Sequence, residues 1–126
     1  MDAKVNSINW FEISVKDLKR AKKFYETILG IKMPEMEMMG MQMAFFPSEP
    51  MSGKVNGGLC KSSMHKPAKS GAKIYLNGNP DLSKVLGKVV KAGGEITMPK
   101  TSLGPNGFMA FFTDTEGNSI GLHSNK

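Results

Sequence analysis

The chain has 126 residues, which suits one domain that buries a core without disulfide bridges. No stretch is long and apolar enough for a membrane span, and the single cysteine, Cys60, fits a reducing, cytoplasmic compartment. The net charge of +6 comes from scattered lysines with Arg20 as the one arginine. Because nucleic-acid binding favours clustered basic residues and arginine forks, we expect no nucleic-acid partner.

The first half reads as a strand, a helix and three further strands. Residues 7–15 alternate between apolar and polar side chains, which is typical of a strand. Asp17 suits the N-cap of a helix, and Gly30 suits its C-terminal end. The pattern then predicts strands at residues 31–38, 41–46 and 55–61.

The second half repeats this order after a polar linker at residues 62–71. Residues 73–77 read as a strand, and Asp81 opens a helix that closes at Gly93. Residues 114–118 form a tight hairpin turn because they combine Asp, Gly and Asn. The remaining predicted strands are residues 95–98, 108–113 and 118–123.

The two halves are copies of one another. Asp17-Leu18 returns as Asp81-Leu82, and the tetrapeptide Met43 to Phe46 returns unchanged as Met109 to Phe112. An ordered series of matches at nearly constant offset indicates an internal repeat. We therefore predict two βαβββ modules, at about residues 1–62 and 71–126, within a single α+β domain.

These motifs resemble a known family. The run VKDLKRAKKFYETILG after the first strand and the close FTDTEGNSIGLHS are similar to the vicinal oxygen chelate superfamily. That superfamily includes glyoxalase I, extradiol dioxygenases, fosfomycin-resistance enzymes and bleomycin-binding proteins. The resemblance implies an incomplete barrel with a cup-shaped cavity, and it implies a homodimer.

The resemblance also implies four metal ligands, usually His or Glu, from the first and last strands of each module. In this chain the corresponding positions hold Trp10, Gly58, Ile74 and Gly121. None of these side chains coordinates a metal. We therefore expect no metal at the family site and no other cofactor.

Another polar set lies two residues further along the same strands, on the same faces: Glu12, Cys60 and His123. We predict that Glu12 and His123 face one cavity and contact each other, as an acid/base pair or as the anchors of a ligand. The alternative is that the two residues only satisfy each other's buried polarity. A non-standard metal site formed by Glu12, Cys60 and His123 is the lesser alternative. His65, in the linker, is predicted to be a solvated loop residue.

The lining of the cup is predicted from the alternation in the repeated tetrapeptide. One face of each strand lines the cup and the other packs on the helices, so core packing is the alternative for every residue chosen. The predicted ligand-binding residues are Trp10, Met43, Phe45, Cys60, Met109 and Phe111.

The favoured function is the binding of a small neutral or anionic organic molecule in a cavity without the family metal. The alternative from another class is a lyase or isomerase that uses Glu12 and His123 on a carbonyl substrate. A third reading is an antibiotic-binding protein of the bleomycin-resistance type, although a basic chain suits a cationic drug poorly.

Overall fold

A computed structural model describes all 126 residues and shows two modules of the same element order. Module 1 consists of β1 (Trp10–Ser14), α1 (Leu18–Leu29), β2 (Glu35–Met38), β3 (Met41–Phe45) and β4 (Asn56–Lys61). Module 2 consists of β5 (Tyr75–Asn77), α2 (Ser83–Val89), β6 (Glu95–Ser102), β7 (Phe108–Thr113) and β8 (Ser119–Ser124). The strand orders are β1-β4-β3-β2 and β5-β8-β7-β6, and in each sheet only the first pair is parallel. The predicted α+β fold of tandem βαβββ modules is confirmed.

Several boundaries differ from the sequence prediction. Helix α2 begins at Ser83 and ends at Val89 rather than Gly93, and β2 begins at Glu35 rather than residue 31. The Asp81 carboxylate, before α2, accepts from the backbone N–H of Ser83 and from Lys100 Nζ, both at 2.9 Å. Strand β6 runs on to Ser102, and a short 3₁₀ helix (Gly104–Asn106) follows it. Neither α-helix has the length and apolar composition needed to cross a membrane.

One continuous core joins the two modules, because both helices pack on the same side of their sheets. Phe24 of α1 contacts Phe112 of β7 with ring centroids 5.8 Å apart. The repeated tetrapeptides supply matching residues to this core: Ala44, Phe46, Ala110 and Phe112. Burial of apolar surface between the modules therefore makes them one cooperative unit.

The turn between β7 and β8 caps the helix of the other module. Glu116 Oε1 accepts from the backbone N–H groups of Lys16 and Asp17, both at 2.8 Å, and Oε2 accepts from Arg20 Nε at 2.7 Å. The Glu116 side chain is fully buried. Burial raises the pKa of this carboxyl, but the hydrogen bonds from Arg20 and from the two backbone N–H groups outweigh burial and hold the pKa below its usual value.

The same turn makes two further contacts with module 1. The Tyr25 hydroxyl donates to Asp114 Oδ2 at 2.6 Å, and the Asn118 amide donates to the carbonyl of Ser14 at 2.8 Å. Burial, together with the negative charge of Asp114, raises the pKa of Tyr25 well above its usual range. The phenol is therefore neutral and donates its proton to the carboxylate throughout the physiological range.

We predict that Glu116→Gln lowers the free energy of unfolding at pH 7 by about 1–3 kcal/mol, because it removes a charge-assisted acceptor from buried N–H donors. The pKa of Glu116 is lower in the folded chain than its ordinary value of 4.5. The carboxylate therefore stabilises the fold above about pH 4.5, and this contribution is lost as the pH falls through the folded pKa.

Urea unfolding of the wild type and of Glu116→Gln across pH 7 to pH 3 measures both effects. The difference between the two proteins should shrink as the pH is lowered. Glu49→Gln, at an exposed loop position, is the matched control and should leave stability unchanged. Equal stability of Glu116→Gln and wild type at pH 7 would contradict the assignment.

Candidate functional site

The side of each sheet that faces away from the helices is called the open face here. The helix-side core contains Ala44, Phe46, Ala110 and Phe112, so their strand neighbours point to the open face. Met43, Phe45, Met109 and Phe111, predicted to line the cup, therefore lie on this side. Their role in ligand binding stays a prediction.

The open face of module 1 carries a hydrogen-bonded chain centred on His65. Glu12 Oε1 lies 2.8 Å from His65 Nε2, and Glu12 Oε2 accepts from Trp10 Nε1 at 3.3 Å. On the other side of the imidazole, Nδ1 lies 2.6 Å from Ser62 Oγ and 3.6 Å from Cys60 Sγ. The prediction that His65 is a solvated loop residue is wrong, because the linker folds back over the sheet and the His65 side chain is 16% exposed.

The predicted contact between Glu12 and His123 is also wrong. His123 Nε2 donates to the backbone carbonyl of Asn106 at 2.7 Å, and no ion pair joins His123 to Glu12. The two residues line different cavities, since Glu12 borders a cavity of about 180 Å³ and His123 one of about 500 Å³. The physical reason is that β1 and β8 belong to separate sheets, and the linker histidine is nearer to Glu12.

The predicted non-standard metal site also has a different histidine in the structure. One ligand atom from each of Glu12, Cys60 and His65 lies within 4.8 Å of the others, so His65 takes the place assigned to His123. Cys60 is completely buried, and burial together with the negative charge of Glu12 raises the pKa of its thiol. The thiol is therefore a neutral, apolar group in the absence of a bound cation.

The open face of module 2 retains a cavity of about 500 Å³. Its apolar walls include Tyr75, Leu103 and Met109, and no acidic side chain lines it. Asn77 Oδ1 accepts from the backbone N–H of Asn79 at 2.9 Å. The amide nitrogen of Asn77 has no such partner and is a free hydrogen-bond donor.

Two further polar groups of this cavity are oriented by backbone contacts. Asn79 Oδ1 accepts from the N–H of Asn125 at 2.8 Å, so the Asn79 amide nitrogen is likewise a free donor. Since His123 Nε2 donates to Asn106, Nδ1 of the neutral ring is left as an acceptor. The cavity thus combines apolar walls with amide donors and one imidazole.

The six predicted ligand-binding residues do not line one common cavity. Met109 borders the 500 Å³ cavity, and Phe111 stacks edge-on against Tyr75 of its wall with centroids 5.2 Å apart. Trp10 and Phe45 contact each other in module 1, with centroids 5.7 Å apart. Met43 and Cys60 are buried under the side chains of module 1. The six residues are therefore divided between the open faces of the two modules.

The largest cavity, of about 690 Å³, lies between the edges of β1 and β5. Its walls are mainly apolar, and they include Phe11 and Ile74, which pack against the helix-side core. Two of its four polar side chains are engaged, because the Asn56 amide donates to the carbonyl of Phe46 and Lys73 Nζ donates to that of Lys69. The other two, Tyr75 and Asn77, also line the 500 Å³ cavity. This crevice offers volume but few groups that would orient a ligand.

The four family metal positions do not fit a metal. Ile74 packs against the helix-side core, so the register predicted for β5 is wrong by one residue. Tyr75 is the residue that pairs with Gly121, as Glu12 pairs with Gly58. The two glycines provide no ligand atom, and the indole of Trp10 donates to Glu12.

Sequence reasoning missed Tyr75, Asn77, Asn79 and Leu103 as lining residues. The Gly78-Asn79-Pro80 segment was a signal for the first three, because an irregular segment before Asp81 shifts which residues of β5 face the cavity. No sequence signal pointed to Leu103, which precedes the unpredicted 3₁₀ helix.

We predict that Gly121→Ala lowers the free energy of unfolding by about 1–3 kcal/mol, because overpacking forces neighbouring groups to move. A Cβ at this position would lie 2.6 Å from the Tyr75 ring. Gly87→Ala in α2 is the matched control, since nothing lies within 4 Å of its Cβ and alanine favours a helix. Urea unfolding checks both, and a Gly121→Ala protein as stable as wild type would contradict the packing.

Comparison with known proteins agrees with this geometry. Residues 7–122 match the model of the Glyoxalase/Bleomycin resistance protein/Dioxygenase superfamily. A glyoxylase-like domain-containing protein of Didymella fabae is 33% identical over 89% of this chain and 88% of its own length. CFP32 of Mycobacterium bovis is 28% identical over 90% of this chain, which spans 44% of that protein.

Solved structures show the same fold. Glyoxalase I from Zea mays aligns with a TM-score of 0.71 at 25% identity, over 92% of this chain and 45% of the maize chain. TnmS3, an antibiotic binding protein from Streptomyces sp. CB03234, aligns with a TM-score of 0.65 at 18% identity, over 99% of this chain and all of its own. The chain belongs to the glyoxalase/bleomycin resistance/dioxygenase superfamily.

Proposed function

We propose that the chain binds a small neutral or anionic organic molecule on its open face, in the 500 Å³ cavity of module 2. The observation that carries this proposal is the combination of apolar walls with free donors from Asn77 and Asn79 and no carboxylate. Its volume lies within the usual range for small-molecule sites. Amide donors favour ligand groups that accept hydrogen bonds, such as carboxylates, carbonyls and ethers.

The chemistry of His123 fits the same class of ligand. Its unprotonated Nδ1 accepts a hydrogen bond from a hydroxyl or amide, and in the protonated state it attracts an anion. The overall charge of +6 adds a favourable field for anions. The lyase or isomerase alternative loses its geometric basis, because Glu12 and His123 do not form an acid/base pair.

An antibiotic as ligand is a second candidate. TnmS3 is named as an antibiotic binding protein and aligns with 99% of this chain. The absence of acidic residues from the cavity argues against a strongly cationic drug and favours neutral aromatic ones. An antibiotic would occupy the same cavity. Titration with carboxylates, amides and amines therefore distinguishes between classes of ligand, not between sites.

A homodimer would complete the site, and we propose this state for the chain. Trp10 is 42% exposed and Tyr75 49% exposed on the open faces, where aromatic side chains lose contact with water on association. In such a dimer the predicted module 1 residues Trp10 and Phe45 would belong to the half of the binding surface that faces the partner, whereas Met43 and Cys60 lie beneath that surface. The ligand would then be enclosed by surfaces that are open in the single chain.

We predict that aromatic carboxylates and their neutral amides stabilise the protein in thermal-shift and calorimetric titrations, whereas the matching amines do not. Asn77→Asp retains the acceptor for the Asn79 N–H but replaces the free donor by a negative charge. Binding of a carboxylate should weaken about tenfold or more, since a hydrogen bond to a charged group contributes about 1.5–3 kcal/mol.

Asn6→Asp makes the same change of charge at an exposed position outside the cavity and should leave binding unaltered. Preferential binding of amines, or equal carboxylate binding by wild type and Asn77→Asp, would contradict the proposed site. Native mass spectrometry of the protein purified from cells then identifies the retained ligand.

We also predict a mass of twice the chain mass of 13.7 kDa by light scattering at micromolar concentration. Trp10→Lys should shift the protein toward the monomer, because it places a charge in the buried interface. Met51→Lys changes a fully exposed apolar residue in the loop between β3 and β4 and is the control. A wild-type protein that is monomeric under these conditions would contradict the dimer.

A further inference from the structure

The open face of module 1 is rich in sulfur. Strand register places Met36 opposite Met43 and Met43 opposite Cys60, so these three side chains lie side by side. Met38 pairs with Met41 in the same hairpin and on the same side. Four thioethers and one thiol therefore lie together in one patch on one side of the sheet. Apolar packing alone does not require sulfur at all five positions.

Three donor atoms at the edge of this patch are spaced like the ligands of one metal ion. Cys60 Sγ lies 3.8 Å from Met41 Sδ and 3.6 Å from His65 Nδ1. Metal–sulfur bonds of about 2.3 Å and metal–nitrogen bonds of about 2.0 Å place neighbouring ligands about 3.5–3.9 Å apart in trigonal or tetrahedral geometry. The two separations from Cys60 Sγ therefore fit an ion shared with Met41 Sδ and His65 Nδ1.

The orientation of His65 decides which nitrogen is available. Nε2 is 2.8 Å from Glu12 Oε1, and since a carboxylate only accepts, Nε2 carries the proton. Nδ1 is then the nitrogen with a lone pair, and it lies 2.6 Å from Ser62 Oγ and 3.6 Å from Cys60 Sγ. Carboxylates commonly hold metal-binding histidines in this way, and Glu12 is itself oriented by Trp10 at 3.3 Å.

We propose that Cys60, Met41 and His65 bind one monovalent copper ion, with Glu12 as the residue that positions the imidazole. Thiolate and thioether ligands are soft and favour monovalent copper over harder divalent ions. Direct ligation by Glu12 would suit zinc instead, since one of its ligand atoms lies within 4.8 Å of those of Cys60 and His65. We assign Glu12 to orienting the ring, because its Oε1 is engaged with His65 Nε2 at 2.8 Å.

The burial of the cluster suits such an ion. Cys60 is fully buried, while Met41 and His65 are half-buried, so the ion is shielded from water and still reachable. The Ser62 hydroxyl lies 2.6 Å from Nδ1 and competes for its lone pair. Removal of the Ser62 hydroxyl should therefore strengthen metal binding, because Nδ1 then has no competing hydrogen-bond donor.

The test is an anaerobic titration of the reduced full chain with monovalent copper, in competition with a coloured copper(I) chelator. We expect one copper per chain. Cys60→Ala and His65→Gln should abolish binding that survives the chelator, and the conservative Met41→Leu should weaken it measurably. Ser62→Ala should bind copper more tightly than wild type.

Glu12→Gln should lower the affinity about 10–100-fold, as expected for a residue that orients a ligand. His123→Gln and Met39→Leu are the matched controls, because His123 lies in module 2 and Met39 is 90% exposed in the hairpin turn. Both should bind copper as wild type does. Circular dichroism of every variant confirms that the fold is retained.

Three results would overturn the proposal. The first is the absence of stoichiometric copper binding by folded wild-type protein. The second is unchanged affinity in Met41→Leu together with complete loss in Glu12→Gln, which would indicate a zinc-type site on the carboxylate. The third is equal or weaker binding by Ser62→Ala, which would show that Nδ1 is not the ligand atom.

Discussion

The buried carboxylate of Glu116 is the interaction on which the arrangement of the modules depends. It belongs to the last turn of module 2, yet it accepts from the backbone N–H groups of Lys16 and Asp17, which lead into α1, and from Arg20 in the first turn of that helix. Helix N-termini attract negative charge, so a carboxylate is favoured at this place. Together with the bond from Tyr25 to Asp114, this contact sets how one helix lies on both sheets. The strands that carry the functional side chains are positioned as a result.

The two copies of one pattern nevertheless produce different open faces. In module 1 the linker after β4 folds back, and His65 covers Cys60 and contacts Glu12. In module 2 His123 instead contacts the backbone carbonyl of Asn106, and a cavity of about 500 Å³ remains beside it. Pseudo-symmetry in the strands therefore yields one filled and one open surface. We propose that the filled surface binds a soft metal ion and that the open surface binds an organic molecule.

Departure from the family metal positions explains why family membership alone does not specify the activity. Gly58 and Gly121 are required for packing, because a Cβ at either would lie within 3 Å of the Ala44 carbonyl or the Tyr75 ring. The positions that hold ligands in relatives with metal thus serve close approach of neighbouring groups here. The polar side chains of these strands lie two residues further along, at Glu12 in β1 and His123 in β8.

The sequence by itself determined the repeat and the strand and helix order, because these follow from local periodicity and capping. Both faces of β3 and β7 carry apolar side chains, so only the structure decided which face packs on the helices. Only the tertiary structure decided the partners of Glu12 and His123. No local sequence pattern predicts that the linker folds over module 1. Likewise, a shift of one residue in β5 exchanges the faces of Ile74 and Tyr75, since side chains alternate with a period of two. Long-range register and loop placement depend on packing between segments distant in sequence, and these contacts choose the site residues.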